Sequence, residues 1–235
     1  MPRKEHEHPL LENTGRDLAL FAAVAALTVA IAVLVAVPST LGRVQRLDDA
    51  FLQLVLRHRS GWLTAIGKAF DVLGSVRVTL PVRILAAGYL LFRRRWWHAT
   101  AFVGAMALAE TATHVMKLAY GRFRPPNPLV HTTSSSFPSG HAVATAVTAV
   151  ALVIAFFPTG RQRVIWGTAA AVFAFLMALS RAYLAAHWLT DAIEGNLIGV
   201  TCALLPALVV ETIRERRERR EVPSERTPAA EASPG

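Results

Sequence analysis

"SRAYLAAHWLTD", residues 180–191, lies between two long apolar runs, "VIWGTAAAVFAFLMAL" (164–179) and "AIEGNLIGVTCALLPALVV" (192–210). A short stretch between two such runs reads as the connection of two membrane-crossing helices. Yet this one gathers Arg181, His187 and Asp191 within eleven residues. Ionisable groups are costly at a membrane, so a cation, an imidazole and a carboxylate together call for a reason.

The rest of the chain repeats the apolar pattern. Of its 235 residues, 53% are hydrophobic and 17% charged, whereas soluble domains carry about 25% charged residues. Six spans are expected, at roughly 18–37, 73–92, 97–116, 141–157, 164–180 and 191–210. Each approaches the ~20 apolar residues that cross a bilayer. The second is the weakest, because it carries Arg77, Pro81 and Arg83. The expected class is therefore an all-α membrane protein, a six-transmembrane helical bundle. It divides into a cytoplasmic segment 1–17, a six-span domain 18–212, and a tail 213–235 that starts basic and ends Pro-, Ala- and Ser-rich, hence disordered.

The first apolar run is too long for a signal peptide and lacks a cleavage site. The single cysteine, Cys202, excludes an intramolecular disulfide. The net charge of +9 sits largely in clusters beside apolar runs, "FRRRWW" (92–97) and "RERRERR" (214–220). That placement suits anionic lipid headgroups and argues against nucleic acid as a partner. Fourteen of the 25 Lys and Arg fall on the side of the N-terminus and nine on the other, with Arg77 and Arg83 inside the second span. The bias puts the N-terminus in the cytoplasm.

Between the first two spans, "RVQRLDDAFLQLVLRHR" (43–59) sets Val44, Leu47, Phe51, Leu54 and Val55 at helical spacing, with Arg and Asp largely opposite. An interfacial amphipathic helix has this pattern, and so does a loop helix packed on the bundle.

With six spans, three polar clusters emerge on one face, the extracytoplasmic one. Lys117 ends the third span and Arg124 follows; "PSGH" (138–141) opens the fourth; Ser180 and Arg181 end the fifth, and His187 and Asp191 begin the sixth. A lone cation at a span end is usually a snorkelling anchor. Three cations held together favour an anion, and Arg presents a planar fork suited to phosphate oxygens. "PSGH" adds a hydroxyl and free N–H groups at a helix start. His187 and Asp191 are four apart, so on a helix they share a face, and the carboxylate could fix the imidazole tautomer. His141 is then free for general acid–base work. Phosphoryl transfer needs these parts.

At the same residues the chain resembles the type-2 phosphatidic acid phosphatases, the lipid phosphate phosphatase family related to vanadium haloperoxidases. Lys117, "LAYGRF", Arg124 and Pro125 match its first motif, Pro138 to His141 its second, and Ser180, Arg181, "AYLAA", His187, "WLT" and Asp191 its third. The resemblance implies a hydrolase of phosphoric monoesters or diphosphates on lipid phosphates. His187 would be the nucleophile that forms a phosphohistidine, Asp191 its orienting carboxylate and His141 the general acid and base. Lys117, Arg124, Ser139, Gly140 and Arg181 would bind the substrate phosphate. It further implies no metal and no cofactor. The haloperoxidase branch is soluble, which the spans disfavour.

Two departures carry expectations. Glu194, one turn beyond Asp191, either pairs with a cation and tunes the site or makes a structural polar contact. Glu110, deep in the third span, is expected to pair with Arg77 on depth counted from the inner arginines at ~1.5 Å per residue. Gly195 and Gly199 form a small-xxx-small pattern that serves internal packing or a dimer face; an oligomer stays open. Two rival functions remain: a phosphotransferase that passes the phosphate to a lipid or sugar, and a non-enzymatic lipid-phosphate binder or transporter.

Overall fold

The breaks between apolar runs are made by residues that cannot or need not continue a helix, and they set the element order. The computed structural model describes residues 8–11 and 14–221, which form α1 (Thr14–Ala36), α2 (Pro38–His58), α3 (Gly61–Leu73), α4 (Val76–Phe92), α5 (Trp96–Tyr120), α6 (Gly140–Phe156), α7 (Arg161–Tyr183) and α8 (Leu189–Glu221). Val37 is extended and Pro38 starts α2, where a missing N–H costs nothing. Gly121 closes α5 in the left-handed region and donates its N–H to Lys117 O, the usual use of glycine past a helix end. The expected disordered tail from residue 222 and the first seven residues of the N-terminal segment lie outside the described residues.

Among the described residues, three helices are long and apolar enough to cross a membrane: α1 from Gly15, α7 and α8. A fourth is available if α3 and α4, bent by 43° where they meet, act as one broken span. The weak second span of the sequence is the second half of that pair. α6 is apolar but has only 17 residues, about 25 Å of helix against a ~30 Å hydrocarbon core. α5 has 25 residues and carries Glu110, His114 and Lys117 among its apolar ones. α8 continues past the expected end at 210 to Glu221.

α8 is the axis of the bundle and packs against α1, α5, α6 and α7. Its approach to α6 depends on glycine. A Cβ at Gly199 would meet Ala146 Cβ at 2.6 Å, and one at Gly195 would meet Ser139 O at 2.7 Å. The small-xxx-small pattern therefore serves internal packing, which is how membrane helices approach closely. The core between α5, α6 and α8 continues in small residues, including Ala105, Ala109, Ala151 and Ala203.

α2 differs from its sequence reading. The face turned to the bundle holds Val44, Asp48, Leu52 and Val55, while Leu47 and Leu54 are exposed. The expected separation of charge from apolar residues fails at Asp48. It sits on the buried face because Arg122 and Thr190 supply its hydrogen bonds there.

Glu110 also departs from expectation. It pairs with Arg83, Nη1 to Oε1 at 2.9 Å, and Arg77 is exposed. Cβ atoms tilt toward the N-terminus of their own helix. In the antiparallel α4 and α5, the tilts carry Arg83 and Glu110 toward each other, which counting Cα depths ignores. Arg83 also donates to Thr148 Oγ1 and Ala144 O, so it joins α4 to α5 and α6.

Candidate active site

The three motifs meet at one end of the bundle. α5 delivers Lys117 there, the 121–139 loop delivers Arg124 and Ser136, α6 starts with Ser139 to His141, α7 ends with Arg181, and His187 lies in the connection before α8. The loop is anchored by Phe137, fully buried beside Val35 and Val44, with the Tyr120 ring tilted against it at 4.5 Å between centroids. Tyr120 in turn donates its hydroxyl to Ala32 O. Two main-chain bonds fix the register: Ser136 N to Arg122 O at 2.8 Å and Ser139 N to Asp191 O at 3.0 Å. Ser139 caps α6, its hydroxyl accepting from Ala142 N, so the N–H groups of Gly140 and His141 open a helix at the site.

His187 is 3% exposed. Its Nδ1 lies 2.7 Å from Ser136 O. A carbonyl can only accept, so Nδ1 carries the proton and Nε2 keeps its lone pair. Arg124 Nη1 lies 3.2 Å from Nε2. Burial above all, then the charges of Arg124, Arg181 and Lys117, hold the imidazole well below its ordinary value of 6.5, so it is neutral at physiological pH.

Asp191 does not touch the imidazole. α8 begins at Leu189, so His187 precedes the helix and the four-residue spacing does not bring the two side chains face to face. Asp191 Oδ2 accepts from Ser136 Oγ at 2.5 Å and from Trp188 N at 3.1 Å. The second bond is the backward half of a capping box. Its other oxygen receives Arg122 Nη1 at 2.5 Å. Asp191 thus holds the serine whose carbonyl holds His187.

Arg122 joins two carboxylates that are fully buried. Its Nη2 reaches Asp48 at 2.7 Å, and Asp48 also accepts from Thr190 N and Oγ1. Lys117 Nζ donates to Ser135 O, and Arg124 donates to Ser134 O, Ser135 O and Ala186 O. Arg181 is 2% exposed; it donates through Nη1 to Asp71 of α3, and its buried Nε has no acceptor among the described residues. His141 Nε2 lies 3.4 Å from the same Asp71 oxygen.

All eight residues selected from sequence are therefore at this end, while Asp48, Asp71, Arg122 and Ser136 were not selected. Arg122 lay in plain view between Lys117 and Arg124, and Ser136 inside a run read as loop. The cation pairing expected for Glu194 does not occur: the residue is fully buried, and neither carboxyl oxygen has a hydrogen-bond partner among the described residues.

Cations, a neutral imidazole and a helix start converging at one end of an apolar bundle define a membrane-embedded phosphoryl-transfer enzyme. The chain matches the PAP2 superfamily over residues 98–215 and belongs to that family, which makes it a membrane phosphatase of PAP2 type. It is similar to phosphatidylglycerophosphatase B of Bacillus subtilis (strain 168), with 29% identity over 183 residues, 75% of this chain and 89% of the relative. Among solved structures it resembles a transmembrane PAP2-type phosphatidylglycerolphosphate phosphatase from Bacillus subtilis (TM-score 0.69, 26% identity, 83% of this chain and 96% of the other). Aquifex aeolicus LpxE shares the fold (TM-score 0.55, 24% identity, 66% and 91% covered).

Proposed function

We propose that this chain is a multi-pass, six-span phosphatase that removes the terminal phosphate from a lipid phosphate or prenyl diphosphate on the extracytoplasmic face of the cell membrane. The observation that carries the reading is the tautomer of His187: Nδ1 is committed to Ser136 O, and Nε2 keeps its lone pair beside the Arg124 guanidinium. Substrates of the phosphatidic acid, phosphatidylglycerol phosphate and undecaprenyl diphosphate classes fit an apolar bundle with cations at one end. The names of its relatives put phosphatidylglycerol phosphate first for testing.

In this reading the substrate phosphate sits among Lys117, Arg124, Arg181, Ser139 and the Gly140 N–H. The unsatisfied Nε of Arg181 is a donor suited to one of its oxygens. His187 Nε2 attacks phosphorus as the bond to the leaving oxygen breaks, and His141 gives that oxygen a proton. Water then attacks the phosphohistidine and loses a proton to His141. The P–N electrons return to Nε2, and orthophosphate departs. Asp191 orients His187 through Ser136. Backbone N–H groups and fixed guanidinium groups stabilise the charge that builds up in the transition state.

The test is phosphate release from a panel of lipid phosphates by purified wild type and His187→Ala, with chelator present. Release by the wild type is expected to fall by more than about a thousandfold in the variant, with a phosphorylated intermediate trapped from wild type only. Acceptor-dependent product without phosphate release would instead identify a phosphotransferase. Retention of activity by the variant would overturn the nucleophile.

A further inference from the structure

Asp71 lies outside all three motifs, on α3, 110 residues from Arg181 in sequence. Its Oδ1 nonetheless takes the Arg181 Nη1 hydrogen bond and lies 3.4 Å from His141 Nε2. The local backbone is built to allow this. α3 stops two residues later, and the chain bends by 43° into α4 at Gly74 and Ser75. A Cβ on Gly74 would meet His141 Cδ2 at 3.0 Å and Met177 Cε at 2.7 Å. The bend, the glycine and the carboxylate thus shape one cradle around the His141 ring.

We infer that Asp71 is a positioning residue of the reaction, holding His141 and Arg181 in their working orientations while weakening the hold on product phosphate. The inference rests on the phosphatase reading above. A carboxylate against Nε2 favours the tautomer protonated there and leaves Nδ1 to exchange the proton with the leaving oxygen and later with water. The groups whose charge bears on His141 are Asp71 from α3, Arg181 from α7 and Arg124 from the loop after α5. Burial above all, then the two cations, opposes charge on the ring, and Asp71, through its carboxylate and its main-chain carbonyl, is the one group that offsets them. The same carboxylate shares Arg181 with an incoming phosphate. It therefore competes with substrate and product alike, and that competition assists release.

Asp71→Asn keeps the shape and an acceptor oxygen but removes the charge, which weakens both roles. The variant is expected to lose about 10- to 100-fold in kcat, to shift the basic limb of its kcat profile about one pH unit lower, and to be inhibited more tightly by orthophosphate. Asp71→Glu should restore part of kcat and return the limb toward its wild-type position. A structural role would lower kcat and the folded fraction together, move no limb and leave orthophosphate inhibition unchanged; that result overturns the inference. So does an Asp71→Asn enzyme indistinguishable from wild type. Should Asp71→Asn fail to fold, Asp71→Glu decides: an unshifted profile and unchanged phosphate inhibition overturn the inference, and a shift in either supports it. An inactive wild type would break the phosphatase reading itself, so the two failures are separable.

Discussion

The two ends of the bundle are built from the same side-chain types and do different work with them. Opposite the site, His98 is fully buried near Arg95, Arg163 and Arg214. There the polar groups close on a segment of chain. Glu211 accepts Leu10 N at 2.9 Å, Arg163 donates to Leu10 O and to Phe157 O, and His8 bridges Arg95 and His98. Leu10 is tucked under these groups with no exposure at all. At the site end the carboxylates instead brace the reactive groups from behind: Asp191 through Ser136 to His187, and Asp71 against Arg181 and His141. The lone pair of His187 Nε2 meets the Arg124 guanidinium, whose donors a phosphate oxygen can take over, and the Nε of Arg181 has no acceptor among the described residues. A buried cluster of Arg and His is thus not in itself a site. What makes one is a cluster of donors and a lone pair whose hydrogen bonds an incoming phosphate can take over.

Substitutions can break this contrast. Arg122→Leu is expected to have the largest effect on stability, about 3–5 kcal/mol, because it strands the buried carboxylates of Asp48 and Asp191. Detergent-solubilised thermal unfolding would measure it. Little change would mean that those carboxyls find protons or water instead, and the bracing would not be electrostatic. At the other end, Glu211→Ala leaves Leu10 N without its acceptor and should cost about 1–3 kcal/mol. Its kcat should stay at the wild-type value. A fall in kcat at full folding would show that the inner clamp is coupled to the site.

The smallest effect concerns acid. His187 is held neutral when folded but takes a proton near 6.5 when unfolded. Below that pH the unfolded state therefore binds more protons, and stability falls as pH falls. The wild type should lose up to about 1.4 kcal/mol more per pH unit below that point than His187→Gln. Parallel acid curves for the two proteins would mean that the imidazole is solvated and the site is not closed around it.

Much of the site was legible in sequence because its residues come in short blocks with fixed internal spacing. The helical positions of those blocks also followed from apolar runs and their breakers. Asp71 and Asp48 left no such trace. Each is a single carboxylate in a helix of mixed polarity, and its importance comes from partners distant in sequence, His141 and Arg181 for Asp71, Arg122 and Thr190 for Asp48. Arg122 was visible but undistinguished, since nothing local tells a guanidinium that binds substrate from one that braces carboxylates. The Glu110 partner, Arg83, lies about one and two-thirds turns from the expected Arg77 for a geometrical reason, the opposed tilt of side chains on antiparallel helices.

By itself, then, the sequence determined the all-helical bundle, the meeting of three motifs at one end, and the identity of the nucleophile candidate. Hydrophobic periodicity and motif spacing are local properties, and a chain carries them wherever it folds. The tertiary structure alone decided how Asp191 reaches His187, that Arg83 and not Arg77 takes Glu110, that Glu194 has no hydrogen-bond partner among the described residues, and that Asp71 stands behind His141 and Arg181. Those outcomes depend on where a helix starts, how far it bends and which face it turns inward, and packing fixes these only when the whole bundle closes.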